Sequence, residues 1–112
     1  MEVKRGDIWV VDLNDAKGSE QRGIRPAVIV QNDVGNRYSP TTLVVPLTTH
    51  TGKLGVTHVA IDTENGAAKP SEAICEQARV ADKTRLIRKV GTIVDPAVLD
   101  EINEKIKVAF GL

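Results

Sequence analysis

The stretch EQRGIRPAVIV, residues 20–30, leads from a polar segment directly into a run of β-branched apolar residues. β-Branched residues are enriched in strands, so the run predicts a strand over 25–32. Pro26 cannot donate a backbone hydrogen bond and is compatible only with the start of a strand or with an edge. The chain therefore enters an apolar strand from a polar rim that carries Arg22, Gly23 and Arg25.

Five other segments have the length and composition of strands and are separated by polar, turn-forming residues. They lie at 6–13, 41–48, 56–62, 73–80 and 85–94, the last with a bend near Gly91. The connection 14–23 is longer than a hairpin needs, residues 33–40 are turn-rich, and Asn65 with Gly66 signals a further turn. This pattern predicts an antiparallel barrel or sandwich. Several strands are apolar on both faces, which requires a cover from a helix or a second subunit.

The residues at the end of the sequence predict a helix, with capping residues at both of its termini. Asp95 is a good N-cap, Pro96 suits the first helical position and Gly111 suits the C-cap. One face carries apolar residues at helical spacing, which predicts that this helix covers the strands. The residues of that face are Leu99, Ile102, Ile106, Ala109 and Phe110.

Length and composition predict one domain over residues 1–112 in a reducing, cytoplasmic compartment. Lysine plus arginine and aspartate plus glutamate number 15 each, so any basic groove must be local. The single cysteine, Cys75, cannot form an intramolecular disulfide and excludes cysteine-rich zinc patterns. The first residues lack a signal-peptide core, and no apolar run approaches the ~20 residues of a membrane span.

Two arginines and two threonines are the first candidates for chemistry. The planar fork of Arg22 or Arg25 could hold two phosphate oxygens, although a surface ion pair is the commoner use of such a residue. Thr48 and Thr49 could donate to phosphate, although threonine is also frequent in strands.

Histidines and a polar strand give the remaining candidates. His50 and His58 could serve acid–base cleavage of a phosphodiester, or could simply be solvated. On the predicted strand 73–80, Gln77 and Arg79 share a face and could contact a base or a phosphate. No metal-binding or nucleotide-binding motif of the standard spacings occurs.

Four segments in order resemble the MazF/PemK family of toxin endoribonucleases from bacterial toxin–antitoxin systems. They are RGDIWVVDL (5–13), GSEQRGIRPAVIVQND (18–33), SPTTLVVPLTT (39–49) and EQARVADKTRL (76–86). The resemblance implies a mainly β fold with a C-terminal helix, an SH3-like small β-barrel of the CcdB/MazF type. It also implies cleavage of single-stranded RNA without metal or cofactor, in which a 2′-OH attacks the adjacent phosphate and leaves a 2′,3′-cyclic phosphate and a 5′-OH.

The resemblance assigns roles to particular residues of this chain. The family's catalytic arginine and threonine fall on Arg25 and Thr48, and its polar pair on a later strand falls on Glu76 and Gln77. Further candidate RNA contacts are Ser19, Glu20, Gln21, Asn32, Thr49 and His58. The group that takes the 2′-OH proton is left open among Glu20, His58 and Arg25.

The resemblance also implies partners: a homodimer whose two copies form an RNA groove beside loop 14–23, and an antitoxin with an acidic disordered tail. A tail of that kind could occupy the groove as an RNA mimic. Two alternatives remain, a non-enzymatic CcdB-like inhibitor of DNA gyrase on the same fold and a plain β-barrel interaction module.

Overall fold

A computed structural model describes residues 1–50 and 52–112, so residue 51 of the predicted polar connection 49–55 lies outside the described residues. The described part contains seven strands and two α-helices. The strands are β1 Asp7–Asp12, β2 Ile24–Ile29, β3 Thr41–Thr49, β4 His58–Ile61, β5 Ser71–Ile74, β6 Arg79–Asp82 and β7 Leu86–Thr92. The helices are α1 Asp33–Tyr38 and α2 Pro96–Phe110.

The strands form one antiparallel sheet in the order β4-β5-β3-β2-β1-β7, with β6 paired to β3 off this path. The long strand β3 organises the sheet, because its first half pairs with β6 and its second half with β5. The mainly β fold class with a C-terminal helix is confirmed. Within the described residues the end strands β4 and β7 do not pair, so the curved sheet does not close.

Pro26 lies where β2 pairs with β1 alone. It is opposite Val10 of β1, and the register with β3 begins one residue later, at Ala27 opposite Pro46. The missing N–H of Pro26 therefore costs no hydrogen bond between β2 and β3. This is the strand-start position that the sequence predicts.

Both faces of the central strands are buried within this one chain. Alternate residues such as Val28 and Ala27 enter two separate clusters, because neighbouring side chains of a strand point to opposite faces. One cluster packs under α2 through Ile102, and the other is enclosed by the curl of the sheet around Trp9. The helix therefore covers one face of the strands, as the sequence predicts, and the curled sheet itself covers the other face.

Helix α2 begins and ends as the sequence predicts. The Asp95 side chain accepts a hydrogen bond from the Ala97 amide at 2.9 Å, and Gly111 adopts the left-handed C-cap conformation with φ 73°. Ile102 is fully buried, but Phe110 is 61% exposed and does not join the core. The predicted apolar face therefore ends before the last turn. No helix in the described part of the chain combines the length and apolar character needed to span a membrane.

Two connections differ from the sequence prediction. Residues 33–38 form helix α1 rather than a turn-rich loop, because the Asn32 side chain accepts from the Gly35 amide and caps it. The predicted single strand 73–80 is two strands, β5 and β6, separated by a short 3₁₀ helix at Cys75–Gln77. The prediction that Gln77 and Arg79 share one strand face is therefore wrong.

The predicted bend near Gly91 is a close backbone contact. A Cβ on Gly91 would lie 2.5 Å from the carbonyl oxygen of Gly66, and Gly66 has φ +89°. Strand β7 also shifts its register against β1 twice along its length. The turn at Gly66 and the irregular strand β7 can therefore approach this closely only because positions 66 and 91 are both glycine.

Candidate active site

Arg25, Thr48 and Glu72 lie in a row on one face of the sheet. Thr48 of β3 is directly opposite Glu72 of β5. Ala27 of β2 is opposite Pro46 of β3, so two residues further along each strand Arg25 and Thr48 share that face. Leu47 and Ala73, their neighbours in sequence, point instead to the cluster under α2. The row therefore occupies the face away from the helix.

The guanidinium of Arg25 is held by the loop that precedes its strand. Its Nε donates to the carbonyl oxygen of Arg22 at 2.8 Å, and its Nη1 contacts the side-chain oxygen of Gln21 and, at 3.5 Å, the carbonyl oxygen of Leu47. The side chain is half-buried. A permanent cation is thus fixed at the junction of loop and strand, beside the backbone that precedes Thr48.

Gln77 anchors loop 14–23 from the opposite side. Its side-chain oxygen accepts from the Gln21 amide at 2.7 Å, and its side-chain nitrogen contacts the carbonyl oxygen of Ser19 at 3.4 Å. At the base of the loop, Asp15 forms ion pairs of 3.1 Å with Arg79 and Arg85. The loop residues predicted to contact RNA are therefore fixed against the turn at 75–77.

A polar cavity of about 220 Å³ opens between this loop and the turn at 75–77. Its lining includes Glu20, Gln21, Glu76 and Gln77, four of the predicted substrate-binding residues. Cys75 lies next to it in sequence but is buried, and burial raises the pKa of its thiol to about 11. The polar side chains of the cavity, and not the thiol, are available to a ligand.

A hydrogen-bonded network of two histidines and two glutamates extends the row. Glu72 contacts His50 Nδ1 at 2.9 Å through one oxygen and His58 Nδ1 at 2.7 Å through the other. The Nε2 of His58 contacts Glu76 at 3.1 Å, and Thr57 donates to the other oxygen of Glu76 at 2.6 Å. His58 therefore lies between two carboxylates.

The network shifts the pKa of each of its three most engaged members. Burial works to lower the pKa of His58, but hydrogen bonds to Glu72 and Glu76 outweigh it and raise the pKa above its ordinary value. The hydrogen bond from His50 holds the pKa of Glu72 low against the opposing effect of burial. Burial works to raise the pKa of Glu76, but the bonds from Thr57 and His58 prevail and lower it. All three groups therefore favour their charged forms.

The structure brings together most of the predicted site residues. Thr48 is half-buried on the same sheet face as Arg25 and Glu72, and its hydroxyl has no hydrogen-bond partner among the described residues. Thr49 is opposite Ser71, on the alternate face of β3 from Thr48. Asn32 lies beyond the far end of β2, where it caps α1. Those two residues are not brought to the row.

The buried Glu72 is the site residue that sequence reasoning missed. The signal for it was a lone carboxylate directly before the apolar run AIC at 73–75. The two histidines, which no spacing linked, meet through this carboxylate. Among the described residues, no group of three histidine, cysteine, aspartate or glutamate side chains is arranged to hold a metal ion.

Comparison with known proteins gives one consistent family. The profile of the PemK-like, MazF-like toxins of type II toxin–antitoxin systems matches residues 4–110. The chain is 41% identical to the endoribonuclease EndoA of Bacillus subtilis over 114 aligned positions, which cover 100% of this chain and 97% of EndoA. It is 42% identical to the endoribonuclease MazF of Staphylococcus saprophyticus, over 98% of this chain and 92% of that protein.

A solved structure agrees with these matches. A mycobacterial endoribonuclease, solved in complex with its cognate antitoxin, superimposes with a TM-score of 0.81 at 27% identity. The superposition covers 98% of this chain and 96% of that chain. With the family profile spanning almost the whole sequence, the chain belongs to the PemK-like, MazF-like toxin family of type II toxin–antitoxin systems.

Proposed function

We propose that this endoribonuclease toxin cleaves single-stranded RNA at a short sequence without a metal ion. In the proposed reaction the ribose 2′-oxygen bonds to the adjacent phosphorus while the bond to the 5′-oxygen breaks. The products are a 2′,3′-cyclic phosphate and a 5′-hydroxyl. One observation carries the proposal: Arg25 and Thr48 share a face on adjacent strands, beside the cavity between loop 14–23 and the 75–77 turn.

Arg25 and Thr48 would stabilise the charge that develops on the phosphate. A guanidinium stays protonated at neutral pH, so Arg25 acts as a fixed cation and hydrogen-bond donor rather than as a base. The Thr48 hydroxyl donates to a non-bridging oxygen. Each preorganised donor of this kind contributes roughly 2.7–4 kcal/mol to transition-state stabilisation.

Glu20 is the base in this proposal. Both nitrogens of His58 are engaged by carboxylates, so its ring has no free site to accept the 2′-OH proton. Glu20 is exposed, lines the cavity and uses one carboxylate oxygen to accept from the Lys17 amide. Its second oxygen is the available acceptor, and solvent returns a proton to the 5′-oxygen.

The decisive assay incubates the protein with a mixed-sequence RNA in EDTA and maps the new ends. Wild type is expected to produce 5′-hydroxyl ends, and Arg25→Ala is expected to lose at least about 100-fold in rate. Arg88→Ala, which removes an exposed arginine of β7, is the matched control and should retain the rate. Equal cleavage by wild type and Arg25→Ala, or no cleavage by either, contradicts the proposal. Inhibition of gyrase supercoiling without RNA cleavage would instead favour the non-enzymatic alternative.

The homodimer is supported by an apolar groove between α2 and the strands β3 and β6. Leu43 and Val80 are opposite each other across these strands and are 42% and 55% exposed, and Phe110 adds to the same groove. An exposed apolar surface of this kind is typical of a protein interface. The groove and the polar cavity share Ala78 and Arg79, so a second copy seated here would lie beside the site.

Sedimentation measures the proposed dimer directly. Wild type is expected to sediment as a dimer and Val80→Lys as a monomer, because the lysine would bury an unpaired charge in the interface. Val56→Lys changes an equally apolar but separate residue, 82% exposed, and should leave the dimer intact. A monomeric wild type or a dimeric Val80→Lys contradicts this part of the proposal.

We propose RNA and an antitoxin as the remaining partners, and the cytoplasm as the compartment of the protein. The mycobacterial neighbour was solved with its cognate antitoxin, which supports an antitoxin for this chain. An acidic disordered tail would compete with RNA for Arg25, because both offer anionic groups to the same guanidinium. Addition of the antitoxin should therefore block RNA binding in a competition assay.

A further inference from the structure

Glu72 is a buried carboxylate that the proposed cleavage mechanism does not use. It is 5% exposed and lies on β5 between β3 and β4. A buried carboxylate must be compensated by hydrogen bonds and opposite charge. Among the described residues, its two oxygens are taken by His50 and His58, and by no lysine or arginine.

The charges of this cluster balance only when both histidines are protonated. His58 donates from both nitrogens, to Glu72 and to Glu76, which requires the imidazolium form. The two carboxylates and His58 together then carry one net negative charge. Protonation of His50 brings the cluster to neutrality, and its deprotonation leaves a negative cluster beside Thr48.

His50 is also oriented so that its second nitrogen is free. A carboxylate that holds Nδ1–H fixes the ring and turns Nε2 away from itself. No described residue bonds to the Nε2 of His50, and the side chain is 31% exposed. Glu72 is directly opposite Thr48, so His50 is bonded to the residue that pairs with Thr48 across the two strands.

We propose that His50 is an RNA-binding residue of this site, whose protonated Nε2–H donates to a phosphate oxygen adjacent to the scissile phosphate, with Glu72 as its positioning residue. The proposal rests on the proposed RNA cleavage, since it places a second phosphate of the same substrate. It gives Glu72 a reason to be buried beside two histidines, which a structural role alone does not require.

The proposal makes RNA affinity depend on the protonation of His50. His50 is bonded to Glu72 on β5, which links it to His58 on β4 and through His58 to Glu76 on the 75–77 turn, and Arg25 on β2 lies on the same face of the sheet as Glu72. Arg25 is a guanidinium and stays charged, and hydrogen bonds to both carboxylates raise the pKa of His58 and so favour its protonated form. With His50 neutral, the site lacks this donor and the cluster is negative, so the RNA phosphates are bound less tightly.

The test measures RNA affinity by fluorescence anisotropy between about pH 5 and pH 8, the range in which an imidazole changes its charge. The probe is an RNA of the mapped cleavage sequence with a 2′-deoxy nucleotide at the cut, which cannot be cleaved. Wild-type affinity is expected to fall about tenfold across this range. The slope of log affinity against log salt should also decrease by about 0.7 at the high end, the value of one phosphate contact on a single strand.

Two variants distinguish a role of His50 and Glu72 in RNA binding from a purely structural role. His50→Gln should bind at all pH values as wild type binds at high pH, with the smaller salt slope throughout. Glu72→Gln should reduce RNA affinity and give the same smaller salt slope as His50→Gln, because a neutral side chain no longer balances the positive charge of the ring. Glu64→Gln, an exposed glutamate between β4 and β5, is the matched control and should behave as wild type.

Three results would overturn the proposal or part of it. A His50→Gln variant that keeps the wild-type pH dependence and salt slope refutes the role of His50. A Glu72→Gln variant that weakens binding but keeps the wild-type salt slope makes Glu72 structural only. A wild type that cleaves no RNA refutes the proposed function and this inference together, whereas an active wild type insensitive to His50→Gln refutes this inference alone.

Discussion

Replacing His58 with glutamine tests whether the histidine–glutamate network stabilises the fold. His58 donates to Glu72, whose side chain is 6% exposed, and to Glu76, whose side chain is 46% exposed. Glutamine can still donate one neutral hydrogen bond to either carboxylate, but it cannot supply the positive charge. The His58→Gln variant therefore removes the charge while it keeps most of the shape.

The size of the effect follows from the burial of the two contacts. A hydrogen bond to a charged group contributes about 1.5–3 kcal/mol, and a neutral one about 0.5–1.5 kcal/mol. The half-exposed contact with Glu76 adds little because solvent screens it. We expect a loss of about 1–2 kcal/mol, and since 1 kcal/mol shifts the Tm of a domain of this size by about 4 °C, a Tm lower by roughly 4–8 °C.

The stability lost in the His58→Gln variant should depend on pH in a defined direction. The lowered pKa of Glu72 contributes stability above its ordinary value of 4.5, which is lost as pH falls through the folded-state pKa. The raised pKa of His58 contributes stability below its ordinary value of 6.5, which is lost as pH rises through the folded-state pKa. The gap between wild type and His58→Gln should therefore be widest between pH 4.5 and 6.5.

Thermal unfolding followed by circular dichroism at matched protein concentration measures this gap across pH. Glu76→Gln is the companion variant, and it should cost less than about 1 kcal/mol because both contacts of Glu76, with His58 and with Thr57, are exposed. A Tm difference that is constant with pH would refute the ionic origin of the effect. A Glu76→Gln variant as damaging as His58→Gln would refute the assignment of the stability to the buried contact.

Three further predictions concern the fold and the loop. Gly91→Ala should lower the Tm sharply, because its Cβ would lie 2.5 Å from the backbone oxygen of Gly66, and a Tm within a degree of wild type would contradict the close fit. Ile102→Ala should cost about 2–5 kcal/mol in urea unfolding through the cavity it leaves, and a cost well below this would mean that α2 repacks. Gln77→Ala should accelerate hydrogen exchange at the Gln21 amide, which Gln77 now holds at 2.7 Å, and unchanged exchange would show that the loop is held elsewhere.

The elements predicted from the sequence are those whose signals are local. Helix α2 has its N-cap, its first-turn proline and its C-cap glycine within its own segment, and all three act there. Strands β2 and β3 are runs of β-branched residues, which fit a buried sheet from either face. For such elements the neighbouring residues in sequence already determine the conformation.

The interruption of the predicted strand 73–80 arises from pairing between distant segments. Val44 of β3 is opposite Arg79, and Leu47 is opposite Ala73. Residues 45–46 of β3 thus face the longer segment 74–78, and the extra residues form the 3₁₀ helix. Nothing in the composition of residues 73–80 specifies this, because the constraint comes from the other strand.

The residues of the candidate site also fall into two groups, those predicted from the sequence and those found only in the structure. Arg25 and Thr48 follow from the resemblance to a known family, and the structure places them on one face. The hydrogen bonds of Glu72 with His50 and His58 depend on which residues of β3, β4 and β5 are opposite each other. The sequence of one strand alone does not determine this register. A buried carboxylate between two histidines therefore becomes visible only in three dimensions.

The contacts of Arg25 with its own loop and strand engage Nε and Nη1, and no described residue bonds to Nη2. In the proposed reaction a phosphate would therefore be bound through Nη2 while the Gln21 side chain and the Arg22 carbonyl keep the guanidinium in place. The loop would then act before RNA arrives, because a guanidinium already held in one orientation loses less conformational freedom on binding than a mobile one. Under the proposed RNA binding, substitutions at Gln21 would therefore change RNA affinity even where Gln21 itself contacts no nucleotide.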